Sequence, residues 1–197
     1  MMKLSIKYYF LFLIFLFSCK SNEEKRGHTI DKIERDVVSL NDNGGKIDYS
    51  KASKVWILLR HAEKDTTEVN NPPLTEIGEN RANRLENILK GTQIDVIYST
   101  LYQRCLNTAA PTAQSKALPT NIYQPAKFKP LIDSLENDKN SKYILIVGHS
   151  NTVPAMANII LENNEFSKAF DDNDYDNFIL ITEQSTEPSK TIYKLKY

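Results

Sequence analysis

The sequence predicts an α/β domain: a three-layer α/β/α sandwich with a mostly parallel central sheet and an antiparallel edge strand or hairpin. Three observations predict it. Short apolar runs at 55–59, 94–98 and 143–147 have the length of buried strands. Segments of helical periodicity separate them, the pattern that builds parallel sheets covered on both faces. Two late apolar runs, 177–182 and 191–195, are joined by a short polar turn and read as an antiparallel hairpin at an edge.

The elements follow in order. A strand over 54–59 leads into a loop containing Asn70-Asn71-Pro72-Pro73. Leu74-Thr75-Glu76-Ile77-Gly78 opens a helix that runs to about Leu89, with Ile77, Ala82, Leu85, Ile88 and Leu89 as its apolar face and Gly91 as its stop. The strand over 94–98 ends in Ser99-Thr100. A helix over 102–116 follows, and Pro111 is expected to kink or restart it. A short strand at 120–123 and helices at 131–138 and 153–161 flank the strand over 143–147.

Before residue 54 the chain is of another kind. Lys3 and Lys7 precede an apolar run from Tyr8 to Phe17, too short for an ordinary spanning helix and suited to a signal peptide over 1–18. Leu16-Phe17-Ser18-Cys19 resembles a bacterial lipobox, which implies a lipid on Cys19 and a place in the bacterial cell envelope, on the periplasmic or outer surface of a membrane. Residues 19–53 are polar and read as a tether, although Ile30, Ile33, Val37 and Val38 could form one short element that docks on the domain over 54–197. With Cys19 used, Cys105 has no disulfide partner and reads as a small buried apolar residue. Twenty-five basic residues balance 25 acidic ones, so bulk charge gives no argument for a nucleic-acid partner.

Four side chains stand out. Arg60 and His61 end the first strand, His149 ends the 143–147 strand, and Arg104 begins a helix that follows another; ligands collect at such an edge in α/β sheets. Guanidinium forks bind phosphate oxygens bidentately and stay charged. An imidazole nitrogen can attack phosphorus and form a phosphohistidine that water opens. Nearby positive charge disfavours imidazolium, leaving one histidine competent to attack near neutral pH. No metal or other cofactor is called for: there is no His-Glu-x-x-His pattern, and His28 lies in the tether. Asp171-Asp172-Asn173-Asp174, in the acidic stretch 162–176, lacks a full calcium-loop pattern, and the stretch reads as a solvated loop.

From Lys54 onward the chain resembles the histidine phosphatase (phosphoglycerate mutase-like) superfamily. Arg60-His61 with Glu63 is similar to the family's opening Arg-His-Gly-Glu motif, in the Arg-His-Ala-Glu-Lys form of small bacterial members. Leu74–Gly78 with Arg81-Ala82, Ser99 with Arg104 and Thr108, and Gly148-His149-Ser150-Asn151 are similar to three later motifs, in the family's order. The resemblance implies that His61 is the phosphorylated nucleophile and that Arg60, Arg104 and His149 form the phosphate pocket. Asn70, Ser99 and Asn151 are further substrate-binding candidates, Asn151 together with the N–H groups that open the next helix.

The larger family members carry a general acid in an insertion that has no evident counterpart here. Glu63, Asp65 and Asp176 are the acids near motif positions, and Glu63 is carried as the catalytic candidate. Lack of a strong acid would favour substrates with good leaving groups. The expected activity is thus a metal-independent phosphatase acting on a small phosphorylated molecule or phosphohistidine. A phosphoglycerate-type mutase and a non-catalytic anion-binding lipoprotein are the alternatives.

Overall fold

The computed structural model describes residues 27–41, 44–67, 69–185 and 189–197. The segment expected to be a signal peptide and Cys19 lie outside them. Among the described residues nine strands form one sheet in the order β3-β2-β1-β9-β8-β4-β7-β5-β6. In chain order these are β1 (His28–Glu34), β2 (Val37–Leu40), β3 (Lys46–Asp48), β4 (Ala52–Arg60), β5 (Val96–Ser99), β6 (Thr120–Ile122), β7 (Tyr143–Gly148), β8 (Asn177–Gln184) and β9 (Lys190–Lys196). The helices are α1 (Glu76–Leu89), α2 (Gln103–Lys116), α3 (Phe128–Asn137) and α4 (Thr152–Leu161).

The α/β prediction holds: β4, β7, β5 and β6 pair in parallel, and β8 and β9 add antiparallel strands beside β4. Alternation along β4 sends Val55, Ile57 and Leu59 into the apolar layer with Leu85, Leu89 and Ala109 of α1 and α2. Trp56 and Leu58 enter the opposite layer with Ile132, Val153 and Met156 of α3 and α4. Burial on both faces is why β4 and β7 read as unbroken apolar runs. Lys54, at the start of β4, donates to the carbonyls of Leu135, Glu136 and Asp138, and so closes the C-terminus of α3.

The polar tether expected over 19–53 requires correction from residue 28 onward. β1, β2 and β3 form an antiparallel meander that joins β9 through the parallel pairs His28↔Leu195 and Thr29↔Lys196. Ile30, Ile33, Val38 and Ile47 are buried with the α1 side of the core. Each such side chain contributes about 1.5–3 kcal/mol on burial, which favours docking over a free tether. Gly91 lets the meander approach: a Cβ there would lie 2.9 Å from the Ile33 carbonyl oxygen. Its role is that contact, since α1 already ends at Leu89 and its cap, Lys90, keeps ordinary helical conformation. The hairpin β8–β9 is present, and the sheet continues beyond it through the meander.

Two local expectations also change. Ile77 is exposed, and Gly78 takes the buried position on α1. α2 runs without a break through Pro111.

Candidate active site

Parallel pairing of β4 with β7 places Arg60 opposite Gly148, and the His61 N–H donates to the Gly148 carbonyl at 3.0 Å. The two histidines that follow their strands therefore meet, with ring centroids 5.6 Å apart. Gly148 must be small, because a Cβ there would lie 2.8 Å from the Tyr123 hydroxyl and 2.9 Å from Oγ1 of Thr152. Thr152 in turn accepts from the His149 N–H at 3.0 Å.

His61 is almost wholly buried. Its Nδ1 lies 2.8 Å from the Ala62 carbonyl oxygen. A carbonyl only accepts, so Nδ1 carries the proton and Nε2 keeps its lone pair. Ala62 is fixed by donating to Oγ1 of Thr108 at 2.9 Å, while Thr108 donates to the Arg104 carbonyl. One hydroxyl thereby ties the nucleophile candidate to the helix that bears Arg104.

Among the described residues no carboxylate is bound to Arg60 or Arg104. Nη1 of Arg60 donates to the carbonyls of Asp171 at 2.7 Å and Asp174 at 3.1 Å, and the guanidinium lies 4.2 Å from the centre of the Tyr175 ring. Arg104 lies 4.4 Å from the centre of the Tyr102 ring. Nε of each is buried without a hydrogen-bond partner. Carbonyl dipoles and ring faces position a guanidinium without neutralising it, so both charges stay available to an anion. Arg60, His61, Arg104 and His149 line one cavity of about 570 Å³, together with Lys64, Tyr102 and Asn151.

Burial sets the protonation of the pair. It is the largest cause that holds His61 down at about 3; the Ala62 carbonyl opposes the shift, and Arg104, Arg60 and His149 add to it. Burial also leads for His149, held at about 4 with help from Arg104, Arg60 and Lys64. The neighbouring cations emphasised by the sequence thus rank behind desolvation. Nε2 of His149 lies 3.1 Å from the Thr100 hydroxyl.

The other candidates separate. Asn151 lines the cavity at the start of α4. Glu63, carried as the catalytic acid, instead receives Nε and Nη2 of Arg81 at 2.7–3.0 Å. Burial alone would raise its carboxyl, but the hydrogen bonds and charge of Arg81 prevail and hold it below its ordinary value. A carboxylate so engaged is a poor proton donor. Arg81 also donates to the Tyr197 carbonyl at 2.7 Å, so Glu63 braces the C-terminus against the strand end.

Ser99, expected at the substrate, is fully buried and donates to the Thr100 carbonyl. The adjacent Thr100 is the residue that reaches His149. Asn70 is exposed and absent from the cavity lining; Asn71 beside it accepts from the Gln103 N–H at 2.8 Å and joins the loop to α2.

Asp65 accepts from Thr67, and Asp176 pairs with Lys196 at 3.1 Å. Cys105 is buried, and burial pushes its thiol up to about 11, which suits the apolar reading. The stretch read as a solvated loop is pinned: Phe170 N–H donates to the Ser150 carbonyl, and the Tyr197 N–H to that of Asp176. Among the described residues no cluster of His, Cys, Asp or Glu is arranged to hold a metal ion.

A titration by NMR tests this electrostatic arrangement. Both imidazoles are expected to remain neutral at about pH 5.5, well below the ordinary histidine range. Because the folded values are depressed, the unfolded chain binds more protons between about 6.5 and 3. The stability contribution of the two neutral rings is therefore present above 6.5 and is lost as pH falls through that window. Titration of either ring near its ordinary value would contradict the arrangement.

Among curated proteins none is significantly similar in sequence. Solved structures share the fold. The protein histidine phosphatase SixA, complexed with tungstate, aligns with a TM-score of 0.59 at 15% identity, over 72% of this chain and 96% of its own. A mycobacterial glucosyl-3-phosphoglycerate phosphatase bound to inorganic phosphate aligns at 0.58 and 13% identity, over 73% and 97%. Residues 56–125, which hold His61, α1 and Arg104, match the family model of the histidine phosphatase superfamily (branch 1).

Proposed function

We propose that this protein is a phosphatase that transfers a phosphoryl group from a small phosphorylated molecule or a phosphohistidine to Nε2 of His61, and then to water, with no metal ion taking part. The observation that carries this reading is the state of His61. Its Nδ1 proton is spent on the Ala62 carbonyl, and its free Nε2 belongs to a ring that lines a cavity shared with two unneutralised guanidiniums. Phosphatases that share the fold and the superfamily match support the reaction class.

The lone pair of Nε2 forms the N–P bond while the bond to the leaving group breaks, and its electron pair leaves with that group. Arg60 and Arg104 hold the phosphoryl oxygens and take up charge that grows on them in the transition state. His149, held by Thr100 and Thr152, and the N–H groups that open α4 beside Asn151 complete the anion site. Water then attacks phosphorus, the N–P bond breaks, and the proton lost by water passes to the phosphate released.

A phosphate-donor screen with the enzyme in stoichiometric amount tests this. An acid-labile phosphoprotein is expected, together with steady phosphate release, and His61→Ala is expected to lower kcat/KM by about 10⁴ or more. Equal activity in that variant would overturn the mechanism.

We further propose that Cys19 is lipidated and holds the domain on the periplasmic or outer face of a bacterial envelope membrane. The basic residues Lys3 and Lys7, the apolar run to Phe17 and the sequence Leu16–Cys19 support it. Cells fed a labelled fatty acid should label the protein, and Cys19→Ser should abolish the label; undiminished labelling would contradict the anchor.

A further inference from the structure

Asp172 is the one acidic residue among the described residues that line the cavity with His61. An acid beside a phosphate site repels the substrate's own charge, so its presence calls for a reason. It is not there by the drift of a loose loop. The residues on either side are committed: the carbonyls of Asp171 and Asp174 both receive Nη1 of Arg60, and the Asp174 N–H donates to the Asp171 carbonyl at 3.0 Å. Phe170 is tied to Ser150, next to His149. The turn that orients Arg60 therefore fixes Asp172 at the same cavity.

We infer that Asp172 is a specificity residue that receives a protonated nitrogen of the leaving group, so that the site favours N-phosphoryl substrates with a planar, protonatable ring. This inference rests on the phosphatase reading and names its substrate class. Glu63 is engaged by Arg81 and supplies no proton to a departing oxygen. A phosphorylated imidazole needs none. With its distal nitrogen protonated beforehand, the ring leaves as neutral imidazole when the P–N bond breaks and the electron pair returns to nitrogen. His61 Nε2 forms the new N–P bond in the same step.

A carboxylate near the distal N–H favours the protonated ring by opposite charge, and so keeps the leaving group good. Phe128 lines the same cavity and offers an apolar face to a flat ring.

Asp172→Asn, compared with the unsubstituted protein on phosphoimidazole and on phenyl phosphate, tests this. Asp172 is exposed, so the substitution spares the core. The variant should lose about tenfold in kcat/KM on phosphoimidazole, the worth of one charge-assisted hydrogen bond. On phenyl phosphate, whose leaving group is an anion, kcat/KM should stay the same or rise, and Asp172→Glu should recover part of the loss on phosphoimidazole. An equal loss on both substrates, or none on phosphoimidazole, would overturn the inference. Unsubstituted protein that cleaves phenyl phosphate but not phosphoimidazole would overturn the inference and leave the phosphatase reading standing. Failure to cleave either substrate, without any phosphoprotein, would overturn both.

Discussion

The parallel register between β4 and β7 is the constraint on which the site depends. Arg60 opposite Gly148, with the His61 N–H on the Gly148 carbonyl, sets two imidazoles side by side at one end of the sheet. Slipping the register by one residue would send every side chain of β4 to the other face. That slip would drive Trp56 and Leu58 into the layer built for Val55, Ile57 and Leu59. The two apolar layers thus hold the geometry of the candidate site as a by-product of packing, and the small residue at 148 lets the strand end approach Tyr123 and Thr152.

Around that pair the protein keeps positive charge exposed to an anion, with Asp172 as the acidic residue at the cavity and two neighbouring carboxylates occupied elsewhere. Glu63 is bound by Arg81 and Asp176 by Lys196. The arginines are positioned by carbonyls and aromatic faces instead. A buried carboxylate beside either guanidinium would neutralise it before the substrate arrived, and the attraction between such charges is far stronger in a buried site than in water. Neutral partners give orientation without that loss. The same low-polarity surroundings hold both histidines in the neutral form, so one setting would prepare both the proposed nucleophile and the proposed anion clamp.

Much of this was legible in the sequence, for definite reasons. Apolar runs that end in Arg60-His61 and Gly148-His149 announce buried strands whose ends carry chemistry, and helical periodicity locates Arg104 at the start of α2. What escaped depends on partners that no spacing encodes. The grip on Arg60 comes from the backbone carbonyls of Asp171 and Asp174, which leave no mark in residue identity. Ser99 yields to its neighbour Thr100, because a one-residue shift at a strand end reverses which side chain faces His149, and Asn70 stays outside the cavity lining while Asn71 ties their loop to α2. Residues 28–48 looked polar because their apolar residues are sparse, yet Ile30, Ile33 and Val38 suffice to dock three short strands against α1.

The proposed chemistry turns on one proton: Nδ1 of His61 is spent on the Ala62 carbonyl, which makes Nε2 the proposed attacking atom. Heteronuclear NMR of the phosphoprotein, trapped from a ¹⁵N-histidine-labelled sample at alkaline pH, reads this directly through the phosphorus–nitrogen coupling. A single phosphohistidine is expected, at His61, with phosphorus on Nε2. Phosphorus on Nδ1 of His61, or on either nitrogen of His149, would contradict it.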